Sequence, residues 1–135
     1  MKQDMPERSA RTVLAFDFGL KRIGVAVGEP EFGTAHPLPP IAAPGFEAIA
    51  RLVKEWQPAQ LVIGLPVAEQ GEHALAKRVE RFARQLEGRF QLPVKRVDER
   101  FSSVEAESRL RGMKRKSIDS VAAQLILEQY FGEAA

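Results

Sequence analysis

The sequence predicts an α/β fold, a mixed five-stranded sheet flanked by helices. Three observations predict it. Short apolar runs rich in strand formers are interleaved with longer segments whose apolar residues recur every three to four positions. The first three runs follow one another across turn signals, so the sheet starts antiparallel; the later runs each follow a helical segment, as a parallel continuation needs. The run Leu61-Val62-Ile63-Gly64-Leu65-Pro66 is apolar without alternation, the pattern of a strand covered on both faces.

Val13 to Phe18 forms the first strand and Ile23 to Val27 the second, with Gly19 between them available for the positive φ of a hairpin turn. Glu29 to Gly33 is a turn. Thr34 to Ile41 carries Pro37, Pro39 and Pro40, which restricts it to an edge strand or an irregular extended segment. Pro44-Gly45 opens a helix whose Phe46, Ile49, Leu52, Val53 and Trp56 share one face; Trp56 is read as core, and Pro58 ends the helix. After the fourth strand, Val67 to Glu72 is a loop. A long amphipathic helix then turns Leu75, Val79, Phe82, Ala83 and Leu86 inward and leaves Lys77, Arg78, Arg81, Arg84 and Arg89 as a solvated face. Pro93 to Val97 is the fifth strand, closing on Asp98-Glu99-Arg100. Ser102-Ser103-Val104-Glu105 is a capping box that starts a helix to about Leu110, and Gly112 breaks it. Ser117 caps a last helix through Tyr130, with Ile118, Val121, Ala122, Leu125 and Ile126 inside.

Length and composition bound what this chain can be. Its 135 residues suit one domain, over 12–135, behind a polar tail at 1–11 that lacks the apolar stretch of a secretory signal. It is 44% hydrophobic and 28% charged, with no run near the ~20 apolar residues of a membrane span. The absence of cysteine excludes disulfides, thiol catalysis and thiolate metal sites, and two histidines are too few for zinc without it. A soluble, cytoplasmic chain is expected, monomeric or a weak homodimer, with no membrane partner.

The unusual residue is Asp17, a carboxylate inside the most apolar strand. It could cap its own turn. In an α/β sheet, however, sites gather at the carboxyl ends of the parallel strands, and Asp17 ends the first strand while Asp98 and Glu99 end the last. Asp119 stands in the first turn of the final helix, where the helix dipole alone favours an acid. If these acids converge they need a hard divalent cation, Mg²⁺ or Mn²⁺, of the kind that activates water for phosphodiester hydrolysis. Lys21 and Arg22 in the first turn, Arg100 after Glu99, and the run Arg109, Arg111, Lys114, Arg115 and Lys116 before Asp119 are the candidate contacts to a nucleic-acid backbone.

Asp17-Phe18-Gly19, Lys21-Arg22-Ile23-Gly24-Val25-Ala26, Val62-Ile63-Gly64-Leu65-Pro66, Asp98-Glu99-Arg100 and Ile118-Asp119 with Ala122-Ala123 and Leu127 together resemble the YqgF/RuvX family, in order and across almost all of residues 12 to 131. The resemblance implies an RNase H-like fold related to Holliday-junction resolvases, and a bacterial cytoplasmic nuclease of pre-16S rRNA 5′-end maturation. It assigns the acidic positions to Asp17, the Asp98-Glu99 pair and Asp119; Asp17 and Asp119 would be metal ligands together with one member of the pair, Glu99 being favoured with Asp98 assisting, and the choice between the two stays open at this point. The chain departs from resolvases in ending its fourth strand on Gly64-Leu65-Pro66, without a carboxylate. It departs from the family in the loop Val67-Ala68-Glu69-Gln70-Gly71, which lacks an asparagine, and in Ser102 and Ser103 where threonines are usual. Three other readings stand beside rRNA processing: resolution of branched DNA by the same acids, a non-catalytic module docking on rRNA, and a phosphate loop of an actin-like ATPase, which needs two lobes where this chain has room for one.

Overall fold

The computed structural model describes residues 12–65, 73–99 and 115–134, without the side chains of 73, 115–119 and 134. Strands β1 (Val13–Asp17), β2 (Arg22–Glu29), β3 (Thr34–Ala42), β4 (Gln60–Leu65) and β5 (Val94–Asp98) form one sheet in the order β3-β2-β1-β4-β5. β1 is antiparallel to β2, and β2 to β3; β4 is parallel to both β1 and β5. The helices among the described residues are α1 (Phe46–Trp56), α2 (His73–Phe90) and α3 (Arg115–Ala134). The mixed sheet and the proline-bearing edge strand are as the sequence predicts. The helix expected from Ser102 to Leu110 lies outside the described residues.

Alternation along the strands sends side chains to two cores. Leu14, Phe16, Ile23, Val25, Val27, Leu61 and Ile63 meet Ile49 of α1 and Val79, Phe82, Ala83 and Leu86 of α2. Val13, Ala15, Ala26, Ala35, Val62 and Val97 meet Ala123, Ile126, Leu127 and Phe131 of α3. The second face is built largely from alanine and valine, so α3 can lie close to the strands. Unalternated apolarity in β4 has its expected cause: Leu61 and Ile63 are buried under α2, and Val62 under α3.

Three expectations are corrected. Gly19 is not at positive φ, unlike Gly33 and Gly45; a Cβ there would instead lie 2.4 Å from the Arg22 carbonyl oxygen, so glycine answers a close backbone approach. Leu75 is 37% exposed, because the first turn of α2 precedes the part of the helix that lies on the sheet. Trp56 is 36% exposed: it stands at the end of α1, where an open pocket rather than packed side chains separates it from β2 and β3.

Arg96 fastens β5 to α2. Its guanidinium donates to Glu80 at 3.1 and 2.8 Å and to Glu87 at 2.7 Å, and the Arg96 hydrogen bond to Glu80 holds that carboxyl below its usual range. Both carboxylate side chains are 40% exposed, so solvent screening limits the effect. Arg96→Met is expected to cost about 1 kcal/mol at neutral pH. Glu80 titrates lower folded than unfolded, so its contribution is full above the unfolded value of 4.5 and is lost as pH falls through the lowered one. Urea denaturation should therefore show the two proteins converging in acid.

Candidate active site

Sheet register decides which acids meet. Val13 and Ala15 of β1 face α3, and period-two alternation puts Asp17, half-buried at the strand's end, on that face too. Its antiparallel partner is Gly24 of β2. On the other side, the last parallel pair is Phe16 with Ile63, and the next residue of β4 is Gly64. Asp17 thus stands between two strand positions that carry no side chain.

Glu99 fills part of that space. Its backbone N–H donates to the Leu65 carbonyl at 3.0 Å and continues the β4–β5 ladder one residue past β5. A Cβ on Gly64 would lie 3.1 Å from Glu99 Oε2 and 2.4 Å from Ile126 Cδ1, so the carboxylate lies over Gly64, directed from β5 toward β1. Asp98 pairs with Leu65 in register, alternates to the face of Arg96, and is exposed; its carbonyl accepts a hydrogen bond from Gln129 of α3. Of the two neighbouring acids, Glu99 is the one brought toward Asp17.

Asp119 belongs to α3, four residues before Ala123; its side chain lies outside the described ones. Among the described residues no three metal-ligating side chains gather. Lys21 and Arg22 are exposed at the same sheet end as Asp17, and Ala43 N–H donates to the Lys21 carbonyl at 2.9 Å, tying that turn to the end of β3. Arg100, Arg109, Arg111 and Lys114 lie outside the described residues, as do the side chains of Arg115 and Lys116.

Two contributors were missed in the sequence. Gly64 carried a signal, since glycine inside a strand marks close approach of another group. Ser120 carried none. A bulge between Ile23 and Val25 takes the Val25 N–H out of the β2–β3 ladder; Ser120, 1% exposed, accepts that N–H at 3.2 Å and donates to the Leu38 carbonyl. This pins α3 beside Asp119. Ser120→Ala strands a buried donor and acceptor and is expected to cost about 1–3 kcal/mol, read as a lower urea midpoint.

The donors present fit a hard divalent cation. Two carboxylates share one face at a sheet end, and a Cβ on Gly64 would stand 3.1 Å from the Glu99 carboxylate, so glycine there lets that hard oxygen donor lie over β4.

The sequence model of a family described as "RuvX: Holliday junction resolvase" matches residues 11–133. A Methylobacillus flagellatus protein named "Putative pre-16S rRNA nuclease" is 55% identical over 141 aligned positions, covering 94% of this chain and 97% of that protein. Proteins of the same name from Nitrosomonas europaea and Escherichia coli O157:H7 (strain EC4115) are each 49% identical, covering 95% and 89% of this chain and 94% and 95% of theirs. Among solved structures, Thermus thermophilus RuvC in complex with a Holliday junction substrate superposes with a TM-score of 0.58 at 15% identity, over 91% of this chain and 94% of that one. The fowlpox virus Holliday junction resolvase superposes at 0.53 and 12% identity, over 92% and 99%. Those two likenesses identify the fold as RNase H-like. The chain belongs to the RuvX family.

Proposed function

We propose that this chain is a divalent-metal-dependent nuclease that hydrolyses phosphodiester bonds in the 5′-end maturation of pre-16S rRNA, in the cytoplasm. The observation that carries this reading is the Glu99 carboxylate lying over Gly64 toward the end of β1, where Asp17 stands. Sequence identity near one half to proteins named for that activity, over nearly the whole chain, supports the substrate.

Asp17, Glu99 and Asp119 would hold Mg²⁺ or Mn²⁺. When bound, such an ion lowers the pKa of water and stabilises charge on phosphate oxygens. Lys21 and Arg22 hold the phosphate backbone beside the acids without reading sequence, and Arg100 with the 109–116 run extends that contact. A water oxygen attacks phosphorus, the bond to the 3′ oxygen breaks, and the products carry a 5′-phosphate and a 3′-hydroxyl. The shared sheet face of Asp17 and Glu99 supports this role, as does the Ser120 contact with the Val25 N–H that fixes the helix bearing Asp119.

The test is cleavage of a 5′-extended 16S precursor, unstructured RNA and a four-way DNA junction, each with Mn²⁺ and with EDTA. Preferred metal-dependent cleavage of the precursor is the expected result. Preference for the junction would favour the resolvase reading that the family description carries. Tight, metal-independent binding without turnover would make the chain a docking module.

A further inference from the structure

At the opposite end of β1, on the face away from α3, an open and mostly apolar pocket of about 330 Å³ lies between the β2–β3 hairpin and the end of α1. Phe32, Trp56 and Leu38 line it, with Glu29, Thr12, Thr34 and His36 as its polar side chains. Phe32 is 69% exposed and Trp56 36%, two large aromatics that the core does not absorb. Glu29 is half-buried, and among the described residues its carboxylate accepts from the Thr12 hydroxyl at a long 3.5 Å, which leaves it acceptor capacity toward the pocket. Flat apolar walls with one carboxylate at the edge suit a planar ring that presents two adjacent N–H donors.

We propose that this pocket binds an unpaired guanine base of the RNA substrate, stacked on Phe32 and Trp56, with its N1–H and N2–H₂ donating to Glu29. The proposal rests on the nuclease reading for its substrate class. Unpaired bases in RNA are recognised in this way, by aromatic stacking and hydrogen bonds to the Watson–Crick edge. The volume falls in the range of small-ligand pockets. Uracil and cytosine lack the paired donors, so the carboxylate supplies discrimination and the aromatics supply affinity. Thr12 and Asp17 are separated by roughly 16 Å along β1. The pocket also opens on the sheet face opposite Asp17, so the base belongs to a flanking segment of the RNA that passes around the sheet edge, several nucleotides from the cleaved bond, and the pocket sets where along the RNA the acids act.

Trp56 is the chain's one tryptophan, so its fluorescence reports this pocket directly. The wild-type protein in EDTA is titrated with a hexauridylate and with the same oligonucleotide carrying one guanosine. The expected result is a change in Trp56 emission, with the guanosine oligonucleotide bound about tenfold tighter or more. Glu29→Gln should erase that preference, and Phe32→Ala, at an exposed position, should weaken both oligonucleotides about tenfold. Equal affinity for the two, a preference that survives Glu29→Gln, or an unchanged emission would each overturn the proposal. So would an emission change that follows protein concentration alone, which would mark an interface between copies. Because EDTA removes hydrolysis, a chain without nuclease activity can still pass this test, and an active nuclease can fail it.

Discussion

Glu99→Gln is expected to lower the rate of phosphodiester hydrolysis at least about 100-fold, while Asp98→Asn lowers it less than about tenfold. Partners that merely orient a metal ligand already matter 10- to 100-fold, so removing charge from a ligand itself should cost more. The two acids are adjacent, and period-two alternation separates them. Glu99 shares the α3 face with Val97, and its carboxylate lies over Gly64; Asp98 shares a face with Arg96 and is exposed. Both substitutions preserve size at positions outside the apolar cores, so the melting temperatures should stay close to wild type. Rates from a single-turnover assay on a 5′-extended 16S precursor check the contrast. Equal losses in the two variants would return the choice between them to open.

Gly64→Ala should lower both stability and activity, for separable reasons. The new Cβ would stand 2.4 Å from Ile126 Cδ1 and 2.9 Å from its Cγ1, inside the α3 core, and 3.1 Å from Glu99 Oε2. Overpacking of this kind costs about 1–3 kcal/mol. Ile126 is fully buried and packed among Val62, Val97 and Ala123, which leaves little room for it to swing away. Adding Ile126→Val removes the Cδ1 atom but keeps the Cγ1 contact at 2.9 Å, so it should restore part of the stability by urea denaturation. It leaves the Cβ against Glu99, so the rate should stay depressed. Full recovery of the rate in the double variant would mean that Gly64 serves helix packing alone.

Much of this was readable before any coordinates. Unalternated Leu61 to Ile63 announces a strand between two helical layers, the prolines of Thr34 to Ile41 announce an edge, and the odd carboxylate in β1 marks the candidate site. What escaped has physical causes. Helical periodicity assigns Trp56 to the inner face of α1 but cannot say that a pocket, not packed side chains, lies between it and the strands. Nor can it say that the first turn of α2, with Leu75, precedes the part of that helix that lies on the sheet. Gly19 was read through turn dihedrals, while the constraint is the Arg22 carbonyl 2.4 Å from where its Cβ would be. The choice between Asp98 and Glu99 needs the face on which α3 lies, which a strand pattern alone does not give. Ser120 becomes legible only with the bulge at Val25, a register irregularity with no sequence mark.

RNA hydrolysis at the sheet end should depend on the carboxylates that would hold a divalent ion there. The most direct measurement is the rate of precursor cleavage against Mn²⁺ concentration for wild type and Asp17→Asn. A saturating rise is expected for wild type, abolished by EDTA, with a variant curve that stays near the floor at every concentration. Superimposable curves, or undiminished cleavage in EDTA, would contradict it.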